Sequence, residues 1–198
     1  MSRLTATNHF ENHVLPSYDS EGYAKEILEA GKRQLELALQ ENYGRVIVFH
    51  LNFNFPQSIH VDGDTPNNCF QYFIENFRRW KLMQKDNCRY IWVREVGEIN
   101  SKLHYHLLLL LDGRKIKFMT LERITILQRY WGNALMKHFG FYGLENQVPV
   151  HVEAPLCIDS RNHSTIEAYI QGPLAYVAKL HTKELCGRNI RTWSQSVG

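Results

Sequence analysis

The residues with the clearest chemical potential are His104 and His106, which flank Tyr105 at the start of an apolar run that continues to Leu111. Such a run predicts a β-strand, in which residues two apart project from the same face, about 6–7 Å apart along the chain. Two ring nitrogens at that spacing can bind one divalent ion. Paired histidines on a strand are also often simply hydrogen-bonded, so a metal site needs a third ligand.

Glu95 and Glu98 are the candidates for that third ligand. Residues 89–95 and 103–111 predict two strands, and the short connection between them predicts an antiparallel hairpin. Glu95 would then lie beside the histidine pair, whereas Glu98 falls in the turn, where a carboxylate is ordinarily solvated; we therefore favour Glu95. Two imidazoles and a carboxylate suit Mn²⁺ or Mg²⁺, and spacing alone also permits zinc with an open coordination position.

A possible nucleophile follows much later in the chain. Tyr176 and Lys179 are three residues apart in a helix predicted over residues 173–185, so they share a face. A tyrosine hydroxyl is a weak nucleophile and needs help to attack a phosphodiester, which Lys179 could give by stabilising the phosphate or lowering the tyrosine pKa. A purely structural interpretation is also open, in which Tyr176 packs at the edge of the core and Lys179 is an ordinary solvated surface charge. Tyr169 is a second candidate, separated from the helix by Gly172-Pro173.

The strand predicted at residues 45–55 has two different faces. Phe49 and Phe53 lie on an apolar face, while His50, Asn52 and Asn54 form a polar one. His50, together with His151 and Glu153 of a later strand, could therefore lie on the site face, in packing roles or in support of the metal ligands.

The remaining elements follow from periodicity and from helix start signals at Ser20 and Thr65. Helices are predicted over residues 20–42, 65–85 and 120–138, a further strand over residues 148–153, and a segment that is part loop and part helix over residues 158–172. This order predicts an α+β fold. Its centre is an RRM-like βαββαβ antiparallel sheet with both crossover helices on one face and the other face free for a site. An N-terminal helix and a C-terminal helix carrying Tyr176 complete it.

Composition limits the class of protein. With 198 residues, the chain predicts an N-terminal arm and helix (1–44), one core domain (45–187) and a basic tail (188–198). It has neither an apolar run of 18 residues nor a signal-peptide core, and its four cysteines form no C-x-x-C pair. We therefore expect a protein of a reducing, cytosolic compartment, without a membrane partner.

The net charge of +3 is only mildly basic, but several cations are candidates for DNA phosphate contacts: Arg78, Arg79, Lys183 and Arg188.

Three motifs, taken in order, resemble those of the HUH endonucleases, and more narrowly the single-tyrosine rolling-circle replication initiators, including the inovirus gene-two-like proteins of filamentous phages. The matching residues lie within residues 45–185: Phe49-His50-Leu51-Asn52, Glu95 with His104-Tyr105-His106, and Tyr176-Val177-Ala178-Lys179. The resemblance implies site-specific nicking of single-stranded or origin DNA in a bacterial host, with a covalent 5′-phosphotyrosine on Tyr176 and Mn²⁺ or Mg²⁺ bound by Glu95, His104 and His106. No G-x-x-x-x-G-K loop is present, so such a nickase would depend on a host or phage helicase or on single-stranded substrate.

Two other functions fit the same residues. An RRM-like module could bind single-stranded nucleic acid without cleaving it, using His50, Asn52, His104 and His106 on an open sheet face. A metal-dependent hydrolase would keep the metal ligands but would not need Tyr176.

Overall fold

The computed structural model describes residues 5–16, 21–59, 61, 64–80, 87–97, 102–143, 148, 150–184 and 192–196. Its elements, in chain order, are β1 (Ala6–Thr7), β2 (His9–Phe10), β3 (His13–Val14), β4 (Tyr23–Ala24), α1 (Lys25–Glu41), β5 (Arg45–Asn54), α2 (Thr65–Arg78), β6 (Arg89–Val96), β7 (Leu103–Asp112), α3 (Leu121–Phe139), β8 (Val150–Val152), β9 (Leu156–Asp159), α4 (His163–Tyr169), a π-helical turn (Ile170–Leu174), α5 (Ala175–Ala178), α6 (His181–Glu184) and β10 (Trp193–Gln195).

The main sheet confirms the predicted α+β fold. Within the described residues its strand order is β10-β6-β7-β5-β8, with β9 also paired to β5, and all of these pairs are antiparallel. The segment from β5 to β8 is the predicted βαββαβ unit, in which α2 and α3 are the crossover helices. The edge strand beside β5 is longer than predicted but is interrupted. β8 pairs with residues 51–53 and β9 with residues 45–48, and Pro155, which has no backbone N–H, lies in the gap.

The two crossover helices pack on one face of the sheet, as predicted. The odd-numbered aromatic residues of β5 lie in a buried cluster with α2 and α3. Phe53 is central to it, with ring centroids 4.6 Å from Phe73 and 5.8 Å from Trp131. Because strand side chains alternate, the even-numbered residues of β5 must point to the opposite face.

That opposite face is not free. The helical segment that carries Tyr176 packs on it, as the predicted site requires, but α1 covers it as well, which the prediction of a free face did not include. Near one end of the strands its residues are apolar, and they lie in a second buried cluster with α1 and the C-terminal helices: Val46, Val48, Ile91, Val93, Leu108 and Leu110. Near the other end the same face becomes polar, at His50 and His106. The covering helices therefore bury the apolar part of the face and leave a site only at its polar end.

The C-terminal helix differs from the prediction of one helix over residues 173–185. Helical structure begins at His163, passes through the π-helical turn and ends at Ala178, where Lys179 takes an extended conformation with φ −48° and ψ 131°. Pro173 lies inside this run, and Gly172 has non-helical angles of φ −97° and ψ −108°. A proline cannot donate to the preceding turn, so the chain widens and kinks there.

Several predicted boundaries also change. α1 begins at Lys25, after β4 pairs with β1, and Ser20 lies outside the described residues. α2 ends at Arg78, and residue 64 rather than Thr65 is its N-cap. Residues 193–195, predicted as part of a polar tail, form β10 against β6. Among the described helices, none is sufficiently long and apolar to cross a membrane.

Candidate metal centre

The hairpin of β6 and β7 brings the three predicted metal ligands together. Glu95 is directly opposite His104, and His106 is two residues further along the same face of β7. One ligand atom from each of Glu95, His104 and His106 lies within 4.8 Å of the others. The grouping predicted from the hairpin is thus confirmed, whereas the competing Glu98 lies outside the described residues.

The geometry of this cluster fits a cation. His106 Nε2 lies 3.0 Å from Glu95 Oε2, yet within the described part of the chain this buried nitrogen completes no hydrogen bond of normal geometry. Two ligand atoms that are each about 2.1 Å from one ion, at a right angle, stand about 3 Å apart. His106 and Glu95 are only 2% and 3% exposed. Leaving their polar atoms without a hydrogen-bond partner or a cation would therefore destabilise the folded protein.

The state of ionisation also suits metal binding. Burial lowers the pKa of His106 to about 3, although contact with Glu95 opposes this. For Glu95, burial alone would raise the pKa, but the charge of Lys183, whose ammonium donates to Oε2 at 3.2 Å, opposes this and helps to hold the pKa well below its usual value. The site therefore presents a neutral imidazole and a carboxylate at neutral pH, which are the forms that bind metals.

Two lysines share the Glu95 carboxylate. Lys183 Nζ donates to Glu95 Oε2 at 3.2 Å and is almost completely buried, and Lys179 Nζ lies 4.0 Å from Oε1. Both lysines come from the chain that follows the kinked helix. A bound cation would therefore share Glu95 with Lys183.

A chain of polar contacts runs from His106 to the edge of the sheet. His106 Nδ1 is 2.9 Å from His50 Nε2, and His50 Nδ1 is 2.8 Å from Glu153 Oε2. Asn52 Nδ2 donates to the other Glu153 oxygen at 3.2 Å. Burial lowers the pKa of His50 even though Glu153 opposes it, so this imidazole is also neutral. Glu153 lies in the gap between β8 and β9, where its backbone N–H still donates to the His50 carbonyl at 3.0 Å.

Tyr176 lies beside these histidines. Its ring centroid is 5.6 Å from that of His50 and 5.5 Å from that of His106, and Lys179 Nζ lies 4.3 Å from the centre of the Tyr176 ring. The predicted proximity of Tyr176 and Lys179 is thus confirmed, although Lys179 follows the helix instead of continuing it. Tyr176 is 40% exposed, so a substrate could reach it.

Tyr169 has a different environment. It is fully buried, its hydroxyl donates to the Gly31 carbonyl at 3.2 Å, and burial raises its pKa above the ordinary value. Because a raised pKa keeps the phenol protonated, this tyrosine is a poor nucleophile. The structure places Tyr176, and not Tyr169, at the histidine cluster.

A cavity of about 350 Å³ opens next to Tyr176. Its walls combine polar side chains of the site with apolar residues of the edge strand and the helix kink: His50, Glu153, Pro155, Leu156, Pro173 and Tyr176.

The residues predicted to contact DNA are not all at this site. His50 and Asn52 are part of it through the contacts to His106 and Glu153. Arg78 and Arg79 are exposed at the end of α2 and its C-cap, on the helix that covers the opposite face of the sheet. Lys183 is buried against Glu95, and Arg188 lies outside the described residues. Their contacts with DNA stay predictions.

Sequence reasoning assigned no definite role to Glu153 and missed the contact between Lys183 and Glu95. The signal for Glu153 was its place two residues before Pro155, which interrupts the edge strand. Lys183 carried no such signal, because its position depends on the break of the helix at Lys179.

Comparison with known proteins places this fold and site in a family. No curated protein matches the chain. The model of one protein family, the YagK/YfjJ C-terminal domain, matches residues 6–192, which include every described residue of the site. The chain therefore belongs to the YagK/YfjJ C-terminal domain family, a family associated with phage-like and mobile-element-like proteins.

Proposed function

We propose that this protein is a site-specific nickase and strand-transfer enzyme for single-stranded DNA, of the HUH type, that works through a covalent 5′-phosphotyrosine on Tyr176. The observation that carries the proposal is the position of Tyr176, an exposed phenol whose ring lies within 5.6 Å of the His50 and His106 rings. A buried histidine–carboxylate cluster and an accessible tyrosine at one place suit phosphoryl transfer.

The transfer step uses residues of this chain. The Tyr176 oxygen attacks the phosphorus, the bond from phosphorus to the 3′ oxygen breaks, and that oxygen leaves with a proton as a 3′-hydroxyl. The phenol gives up its own proton, so protons and phosphate bonds balance. Since the phosphodiester is replaced by another phosphodiester, the 3′-hydroxyl of a second strand can reverse the step and rejoin DNA.

Positive charge at the site supports this reaction. Lys179 contacts the Tyr176 ring and lies near Glu95, so its ammonium stabilises negative charge on the phenolate or on the transferring phosphate. Glu95, His104 and His106 would hold Mn²⁺ or Mg²⁺. When bound, the ion polarises a phosphate oxygen and stabilises the charge that develops there.

The substrate and setting follow from the same features. The site lies at one end of a sheet whose two faces are covered, and its cavity of about 350 Å³ has room for an unstacked nucleotide but not for a duplex. This size supports single-stranded DNA as the substrate, supplied by replication or by a host or phage helicase. Membership in a phage-associated family supports replication of a mobile element in the bacterial cytoplasm as the biological role.

The test is the capture of covalently bound DNA. A pool of single-stranded oligonucleotides with a random centre and fixed ends is incubated with the protein and Mn²⁺, and adducts that survive denaturing gels are sequenced. We expect adducts enriched in one sequence, which disappear in the Tyr176→Phe variant and with EDTA. Tyr43→Phe is the matched control, because Tyr43 is also exposed and contacts a cation, Arg114, at 4.4 Å from its ring centre.

Two results would contradict the proposal. Tight binding of the pool with no adduct, with or without Mn²⁺, would indicate a nucleic-acid-binding module. Cleavage that persists in Tyr176→Phe and leaves no protein on the DNA would indicate a metal-dependent hydrolase.

A further inference from the structure

The contacts between Glu153 and Glu95 form a chain with two carboxylates at its ends and two imidazoles between them. Its three distances are 2.8 Å from Glu153 to His50, 2.9 Å from His50 to His106, and 3.0 Å from His106 to Glu95. Each of these contacts joins two atoms that can accept a hydrogen bond, so each needs a proton or a cation between them.

The two imidazoles do not carry enough protons for all three contacts, so one contact must lack a proton. A neutral imidazole carries a single N–H, so His50 and His106 supply two protons for three contacts. His106 Nε2 is a buried nitrogen that completes no hydrogen bond of normal geometry among the described residues, so we assign the missing proton to its contact with Glu95. Glu95 Oε2 already accepts from Lys183 at 3.2 Å, so it does not need a proton from His106.

The other two contacts then fix the position of each proton. Glu153 can only accept while it is ionised, so His50 carries its proton on Nδ1 and has a lone pair on Nε2. His106 must therefore donate from Nδ1 to His50, which leaves the lone pair of its Nε2 directed at Glu95.

We propose that Glu153 and His50 are positioning residues that hold His106 in its Nδ1–H tautomer, so that Nε2 is available to the cation shared with Glu95 and His104. This inference rests on the metal site of the proposed function, and it does not require DNA cleavage. Asn52, which donates to Glu153 at 3.2 Å, keeps the carboxylate directed at His50.

A single backbone contact holds His104 in the same tautomer. Its Nδ1 lies 3.1 Å from the carbonyl oxygen of Lys102. A carbonyl only accepts, so Nδ1 of His104 donates, and in the neutral imidazole Nε2 then keeps its lone pair. Both histidine ligands thus present Nε2, one held by the backbone and the other by the pair of Glu153 and His50. Metal-binding histidines are commonly held by such acceptors, whose loss lowers metal affinity about 10–100-fold.

The direct test is the tautomer of each histidine in the metal-free protein. Two-bond ¹H–¹⁵N correlation spectra of ¹⁵N-labelled wild-type protein in EDTA distinguish Nδ1–H from Nε2–H imidazoles. We expect His50, His104 and His106 all to be Nδ1–H. An Nε2–H proton on His106 or on His50 would overturn the proposal, and this measurement needs no variant to fold.

A second test measures metal affinity. Mn²⁺ is titrated into the protein and the free ion is followed by electron paramagnetic resonance. We expect Glu153→Ala to weaken binding about 10–100-fold, Glu153→Asp to recover part of the loss, and the His106 signal of Glu153→Ala to show mixed tautomers. The matched control is Glu167→Ala, which removes a carboxylate 3.5 Å from His13 Nδ1, a histidine outside the Glu95, His104 and His106 cluster, and should bind Mn²⁺ as wild type does.

The outcomes separate this proposal from the proposed function. Nδ1–H tautomers together with Mn²⁺ binding that depends on Glu153, but no DNA adduct, would support the positioning role while refuting the nickase. Unchanged Mn²⁺ affinity in a folded Glu153→Ala variant would refute the positioning role, whether or not the protein nicks DNA.

Discussion

Replacing Lys183 with methionine tests how the buried carboxylate of the site is neutralised. In the folded protein the Lys183 ammonium lies 3.2 Å from Glu95 Oε2, and Glu95 is 3% exposed. Methionine is a long, unbranched and adaptable side chain, so it removes the charge and keeps most of the volume. The variant therefore leaves a buried carboxylate without its closest cation.

The expected cost follows from that burial. Removing one partner of a buried ion pair costs about 3–5 kcal/mol. Because Lys179 still lies 4.0 Å from Glu95 Oε1, we expect the lower value, about 3 kcal/mol. A loss of 1 kcal/mol lowers the Tm of a chain of this size by about 2–4 °C. The metal-free variant should then melt about 6–12 °C below wild type.

Urea and thermal denaturation in EDTA, followed by circular dichroism, measure this loss. Lys25→Met is the matched control, since Lys25 lies 3.7 Å from Glu29 and both side chains are more than half exposed; a surface pair of this kind is worth about 0–1 kcal/mol. Mn²⁺ at about 100 times its Kd should restore about 2.7 kcal/mol to any folded form that binds it.

Equal losses in Lys183→Met and Lys25→Met would refute the reasoning, because they would show that Glu95 is not a buried charge that depends on Lys183. A variant that Mn²⁺ fails to stabilise, when it stabilises wild type, would instead show that Lys183 helps to build the site.

Three further predictions concern stability. The metal-free protein should lose at least about 1.4 kcal/mol per pH unit as the pH falls below about 6.5. Unfolded His106 takes up a proton near its ordinary pKa of 6.5 while burial holds the folded pKa near 3, and His50, whose pKa burial also lowers, adds to the loss. Urea denaturation between pH 7 and pH 5 measures this, and a flat profile would contradict it. Gly31→Ala should destabilise by about 1–3 kcal/mol, since the new methyl would stand 2.1 Å from Leu174 Cδ1, and a Tm equal to that of wild type would contradict this packing. Tyr169→Phe should cost about 1 kcal/mol through its lost hydrogen bond to Gly31 and leave the yield of DNA adduct unchanged, so loss of the adduct in a folded variant would make Tyr169 the nucleophile.

Local patterns were sufficient to predict the centre of the molecule. The alternation of β5 and the short hairpin between β6 and β7 determine which residues share a face. Since both patterns involve neighbouring residues, counting along the chain predicted Glu95 beside the histidine pair, and in the structure it lies opposite His104.

The face that carries the site was harder to predict. Its even-numbered positions are polar at His50 and apolar at Val48, so the pattern shows where the character changes but not what covers the apolar part. α1 and the kinked helix provide that cover through contacts such as Gly31 with Leu174, which are remote in sequence.

The C-terminal half depended on tertiary context. Pro173 is favoured at the start of a helix, which predicted a new helix there. In the structure a π-helical turn accommodates it, and the helix instead ends before Lys179. β10 is a three-residue strand whose sequence has no strong strand pattern, so it depends on the edge that β6 presents. The burial of Lys183 depends on both of these features.

The most direct test of the account is to locate the covalent bond. Adducts formed with Mn²⁺ are digested with nuclease and protease, and fragmentation of the resulting peptides in a mass spectrometer identifies the modified residue. We expect a nucleotide joined through its 5′ phosphate to Tyr176, absent when EDTA replaces Mn²⁺. A nucleotide on Tyr169 or on any other residue, or DNA cleaved with no peptide attached, would contradict the assignment of Tyr176 as the nucleophile.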